Sequence, residues 1–140
     1  MGVDIHAFVE YREPVRGYVS LSEGELWLPY RQGGLYGALG ISPEDGHCLY
    51  PPRGLPSDCG RVVRHGPYVR PAPDGESPQL STPDEFSPGW LYLHEVLAAL
   101  DHYPFPLEEC QPTFRAAVAA MAELAKVPGA DPRLVFYFDR

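Results

Sequence analysis

Between Ser42 and Pro88 the chain can build almost no regular structure. Pro51, Pro52, Pro56, Pro67, Pro71, Pro73, Pro78, Pro83 and Pro88 all fall in this stretch. Each lacks a backbone N–H and fixes φ near −65°, which breaks helix interiors and keeps proline out of central strands. Arg61 to Val69 is long enough for a short strand pair, and Asp74-Gly75 marks a turn. The sheet and the helices must therefore come from the two flanks. An irregular span this long inside a compact domain is unusual, and such loops are often functional.

The N-terminal flank alternates. Val3, Ile5, Ala7, Val9 and Tyr11 share one face, and Asp4, His6, Phe8 and Glu10 share the other. That period of two predicts a strand, ended by Pro14 and Gly17. Tyr18–Leu21 and Leu26–Tyr30 are short apolar runs around Ser22-Glu23-Gly24-Glu25 and are expected to form a hairpin. Leu35–Leu39 reads as a short helix closed by Gly40.

After the proline-rich span the period changes. Leu93, Val96, Leu97 and Leu100 follow helical spacing within Trp90–His102, which Pro104-Phe105-Pro106 interrupts. Leu107–Val127 is the stronger helix, with Phe114, Val118, Met121 and Ala125 on one face and Pro112 near its first turn. The run Leu134–Phe138 is apolar without a break, as a strand buried on both faces requires. The expected architecture is α+β in a single domain, residues 1–140, with an irregular region of about 42–88. A small mixed or antiparallel sheet holds both terminal strands, and two helices pack on it.

Charge narrows function. The 140 residues carry a net charge of −8, against the basic face that broad nucleic-acid binding needs. No apolar run approaches the roughly 18 residues of a membrane span, and no signal peptide is evident. A cytoplasmic protein with free thiols is the expectation, since Cys48, Cys59 and Cys110 form no C-x-x-C pair. Phosphate-loop, dinucleotide-fingerprint, nucleophile-elbow and EF-hand motifs are absent.

Five segments occur in a telling order. They are Met1-Gly2-Val3-Asp4-Ile5-His6, Gly34-Leu35-Tyr36-Gly37-Ala38-Leu39, Pro52-Arg53-Gly54-Leu55-Pro56-Ser57-Asp58, Ser87-Pro88-Gly89-Trp90-Leu91 and Arg133–Arg140. Together they resemble a family of small bacteriophage and prophage proteins that opens M-G-C-D-I-H and carries P-R-G-L-P-x-D. Val3 stands where that family has Cys, and the His-Ser that precedes its Trp is missing before Trp90. The resemblance implies a phage accessory protein, placed in the host cytoplasm, and no particular reaction.

The candidate ligand-binding residues are Asp4, His6, Tyr36, Arg53, Gly54, Asp58 and Trp90. Arg53 can fork onto a phosphate or carboxylate, Gly54 permits close backbone approach, and Asp58 can accept from a ribose hydroxyl or base amine. An Arg53–Asp58 salt bridge that locks the loop is the alternative. Tyr36 and Trp90 offer flat rings for stacking, or serve the core. Asp4 and His6, two apart on one strand face, can share a pocket or form a hydrogen-bonded pair that fixes the fold. With Glu10 they supply metal or acid–base chemistry on paper, as His47, Cys48, Cys59 and His65 supply a zinc set, although no standard metal spacing is present and none is assigned.

The first reading is a protein that binds a small anionic, nucleotide-type ligand, such as a host-defence signal, without a cofactor. The second is an acidic modulator that docks on a host protein such as RNA polymerase or a nuclease. The third is a metal-dependent hydrolase built on Asp4, His6 and Glu10.

Overall fold

The computed structural model describes residues 2–140, so Met1 of the opening motif lies outside the described residues. A four-stranded antiparallel sheet has the order β2-β1-β6-β5. Its strands are β1 (Asp4–Glu13), β2 (Gly17–Ser20), β5 (Glu85–Tyr92) and β6 (Arg133–Asp139). A two-residue ribbon, β3 (Val69–Arg70) with β4 (Gln79–Leu80), is separate. The helices are α1 (Gly33–Ala38), α2 (Arg61–Arg64), α3 (Leu93–His102) and α4 (Pro112–Leu124). This is the α+β architecture that the sequence predicts, and the first and last strands are neighbours, Ile5 opposite Phe138 and Phe8 opposite Val135.

Both faces of the sheet are covered. On one, Ile5, Ala7, Val9, Leu134, Phe136 and Phe138 pack against α1, α3 and α4 through Leu35, Val96, Leu100, Phe114 and Met121. On the other, Phe8, Val135 and Tyr137 pack against Leu55, Cys59, Val63 and Val69 of the proline-rich span. Each large apolar side chain buried this way contributes about 1.5–3 kcal/mol. The unbroken apolar run of β6 follows from this double cover. So does the burial of His6, Phe8 and Glu10 on the face of β1 opposite the main core.

Four local expectations are corrected. The hairpin is β1–β2, not Tyr18–Leu21 with Leu26–Tyr30. Its three-residue loop closes on Gly17 at φ 76°, the left-handed bulge position of such hairpins. Leu26–Tyr30 instead runs irregularly beside β1, where the Leu26 N–H donates to Ala7 O at 2.7 Å. Within Arg61–Val69, residues 61–64 are helical and only Val69 enters a strand, paired with Leu80. Trp90–Tyr92 belongs to β5, an edge strand that admits Pro88 through a register shift between Phe86 and Gly89.

The helices are shorter than the periodicity predicts. α3 begins at Leu93, and Ala99 fills the core position that the spacing assigns to Leu97, which is exposed. α4 begins with Pro112 in its first turn, and Ala117 replaces Ala125 in the buried stripe. Among the described residues no helix is long and apolar enough to cross a membrane.

Candidate functional site

The covered face opposite α3 and α4 carries a buried charge cluster. Glu10, Arg133 and Tyr92 lie in one cross-strand row over β1, β6 and β5. Arg133 Nε and Nη2 donate to Glu10 Oε1 at 3.0 and 2.8 Å, and Nη1 donates to Asp58 Oδ1 at 2.9 Å. The second Glu10 oxygen accepts the Gly60 N–H at 2.7 Å. Glu10 is 0% exposed and the Arg133 side chain 2%. Burial pushes the Glu10 carboxyl upward, while the Arg133 charge and the Gly60 N–H pull it back. The Arg133 guanidinium also lies 3.5 Å from the Tyr18 ring centre, a cation–π contact.

Arg53 extends this pattern along β5. Its guanidinium sits 5.1 Å from the Tyr50 ring and 4.8 Å from the Trp90 ring. Both of its terminal nitrogens donate to the Glu95 carboxylate, Nη1 to Oε1 at 2.7 Å. Arg53 accordingly holds the Glu95 carboxyl below its ordinary range. The Arg53–Asp58 bridge therefore does not form: Arg53 pairs with Glu95, and Asp58 pairs with Arg133. Gly54, at φ 81°, donates its N–H to Pro88 O at 2.9 Å and pins the loop to β5.

Two clefts meet at this loop. The smaller, about 320 Å³, is lined by Arg53, Ser57, Asp58, Trp90, Tyr92 and Arg133 among others. The larger, about 1020 Å³, opens on the other side of Ser57 and Asp58, between β2 and α2. Arg12, Arg16, Arg61 and His65 line it and are exposed. None of the three arginines pairs with a carboxylate among the described residues. The wall is firm, because buried Arg64 donates to Ser57 O at 2.7 Å and to Ala72, Pro73 and Glu76 carbonyls. Cys59 also lines the cleft, but burial pushes its thiol up to about 11, which leaves it protonated near neutrality.

The other sequence candidates lie elsewhere. Tyr36 is buried on the opposite side of the sheet, its ring 5.5 Å from that of Phe138. Asp4 is exposed and accepts from Arg31 Nε at 2.9 Å. His6 does not pair with Asp4. It lies between Glu25, 2.6 Å from Nδ1, and Asp139, 3.1 Å from Nε2, with the rings of Tyr68 and Tyr137 within 4.8 and 5.1 Å. Asp4, His6 and Glu10 thus have three separate sets of partners. Cys48, Cys59 and Cys110 are free thiols. Among the described residues no three His, Cys, Asp or Glu side chains converge with metal-binding geometry, so neither Asp4–His6–Glu10 nor the His47/Cys48/Cys59/His65 set is assembled.

His6 gives the fold a pH dependence. Its hydrogen bond to Glu25, then that to Asp139, raises its pKa above 6.5 against the opposing effect of burial. A histidine raised on folding adds stability that is complete below the unfolded value near 6.5. That stability is lost as pH rises through the higher folded value. His6→Gln is expected to cost about 1–3 kcal/mol below pH ~6. It should also flatten the decline in unfolding free energy above that pH, measured by urea titration. An equal slope in variant and wild type would refute this role.

Sequence reasoning singles out Arg53, Gly54, Asp58 and Trp90, and the fold brings all four to one loop and its facing strand. It passes over Arg12, Arg16, Arg61 and Arg133. Their one sequence signal is that arginine supplies nearly every cation of an acidic chain, with Lys126 the only lysine. Comparison with protein-family models, with curated proteins and with solved structures returns no match to the chain.

Proposed function

We propose that this protein binds a small anionic ligand of nucleotide type on the loop-covered face of its sheet, as a phage accessory protein would. One observation carries the reading: Arg12, Arg16 and Arg61, without carboxylate partners, face one large cleft in a chain of net charge −8. Unpaired cations around a concave surface concentrate anions there. In this reading the anionic group lies in the larger cleft. The rest of the ligand, with a second anionic group, crosses Ser57 and Asp58 toward Tyr92 and Trp90 in the smaller one. Arg53, matched by Glu95, positions the Trp90 ring and the loop and does not itself hold the anion.

The test is calorimetric titration with ADP and with inorganic pyrophosphate. Arg61→Ala and Arg12→Ala are each expected to weaken binding about 10- to 100-fold, the range for one charge-assisted hydrogen bond. Arg115→Ala, exposed on α4 across the sheet, should leave affinity unchanged. Added salt should weaken the wild type. Wild-type affinity in Arg61→Ala, or no binding of either probe, would refute the proposal.

A further inference from the structure

Asp58 stands in an unusual position. It is the one carboxylate on the wall that the two clefts share. Its side chain is 56% exposed, while the arginine side chain it accepts from is 2% exposed. The pairing is not needed to neutralise Arg133, because Glu10 already provides one full counter-charge through two hydrogen bonds. Asp58 is a second carboxylate on a cation that has one. An arginine has five N–H donors, and only the Nη1 edge of Arg133 turns toward Asp58 and the smaller cleft.

The loop does not depend on that contact. Ser57 O is held by Arg64 Nη2 at 2.7 Å, and the Gly60 N–H is held by Glu10 Oε2 at 2.7 Å. The Cys59 N–H donates to Pro56 O at 3.3 Å. Backbone anchors thus lie on both sides of Asp58, and its side chain can rotate into water while Ser57–Gly60 stays in place. Asp58 already keeps much of its hydration, and Arg133 retains Glu10 as its counter-charge, so the carboxylate can return to solvent without stranding a buried cation.

We infer that Asp58 is a built-in occupant of an anion subsite: its carboxylate holds the Nη1 edge of Arg133 until an anionic group of the ligand displaces it. This deepens the reading above and rests on it. The ligand chemistry named is a phosphate or carboxylate oxygen that can accept from the Nη1 edge of a guanidinium between the Tyr18 and Trp90 rings, 3.5 and 5.7 Å from the Arg133 carbon. The site is then closed in the free protein, and apparent affinity falls by the fraction of molecules in which Asp58 is bound.

The experiment compares ADP and inorganic pyrophosphate binding by calorimetry in wild type, Asp58→Ala, Asp58→Asn and Glu23→Gln. Glu23 also lines the larger cleft, so its variant removes one negative charge without touching Arg133. Asp58→Ala is expected to bind about tenfold tighter, as it would if Asp58 closed roughly nine molecules in ten. Asp58→Asn keeps an acceptor for Arg133 and should gain less. Glu23→Gln should change affinity less than about threefold, the scale of one screened surface charge. A gain in Asp58→Ala no larger than in Glu23→Gln, or a loss, overturns the inference. If Arg61→Ala abolishes binding while Asp58→Ala matches wild type, only the inference fails. If no variant binds either probe, the proposed function fails with it. Thermal melts of each variant exclude misfolding as the cause of a loss.

Discussion

Glu10→Ala is expected to destabilise the protein by about 3–5 kcal/mol, the cost of stranding one member of a buried ion pair. Arg133 would keep its charge in a site where its side chain is 2% exposed. Asp58, half in water, is too well solvated to replace the buried carboxylate. The Gly60 N–H would lose its acceptor at the same time. Against a typical total of about 5–15 kcal/mol, this is a large fraction, and the melting temperature should fall by about 10 °C or more. The double variant Glu10→Met with Arg133→Met should cost much less than the two single changes together, because no charge is left buried. Urea unfolding of Glu10→Ala, of the double variant and of its two component single variants measures both statements. A cost below about 1 kcal/mol for Glu10→Ala would mean that the pair is not the desolvated link between sheet and loop described above.

The same pair shows where sequence reasoning succeeds and where it stops. The alternation of β1 is a local signal, and it places Glu10 on the face with His6 and Phe8 correctly. That this face is also buried depends on what the proline-rich span does, and no period in that span says so. Residues 134–138 reveal their double burial because both faces are apolar. In β1 the second face is made of His6, Phe8 and Glu10, and its mixed polarity fits a pocket, a polar pair or a covered face equally well. β5 is obscured for a different reason. Pro88 and Gly89 interrupt its pattern, and the strand survives only as an edge with a register shift. Trp90–Tyr92 then runs directly into α3, so the helical spacing of the downstream leucines extends too far back. Ion-pair choice is less legible still. Arg53 finds Glu95 and Arg133 finds Asp58, 42 and 75 residues apart, whereas the sequence offers the nearer Arg53–Asp58 pair. Topology decides this, because Glu95 lies in the first turn of α3, at the end of β5 over which the Arg53 loop is pinned. The unpaired arginines of the larger cleft come from β1, its hairpin loop and α2, which only the folded chain brings together.

Gly60→Ala is the substitution that should couple this packing to the proposed site most directly. Gly60 has φ −72° and ψ 175°, which alanine adopts freely, so the change brings no backbone strain of its own. What it brings is one methyl group in a place with no room. A Cβ there would lie 2.6 Å from Tyr18 O and 3.2 Å from Glu10 Oε2. The first of these atoms is backbone in the sheet, and the second is fixed by Arg133 and by Gly60 itself, so neither can yield cheaply. The loop must lift. Lifting it breaks the charge-assisted bond from the Gly60 N–H to Glu10, worth about 1.5–3 kcal/mol, and overpacking adds about 1–3 kcal/mol. A total of about 3 kcal/mol or more is expected in urea unfolding. The loop carries Asp58 and leads into Arg61, and it forms the wall between the clefts. The same methyl group should therefore weaken ADP binding at temperatures where the variant is still fully folded. Surface substitution of Gly24, whose Cβ would meet nothing within 4 Å, provides the control. Full stability together with wild-type binding in Gly60→Ala would show that the Ser57–Gly60 loop does not rest on Tyr18 and Glu10. The link between the buried ion pair and the cleft would then be lost.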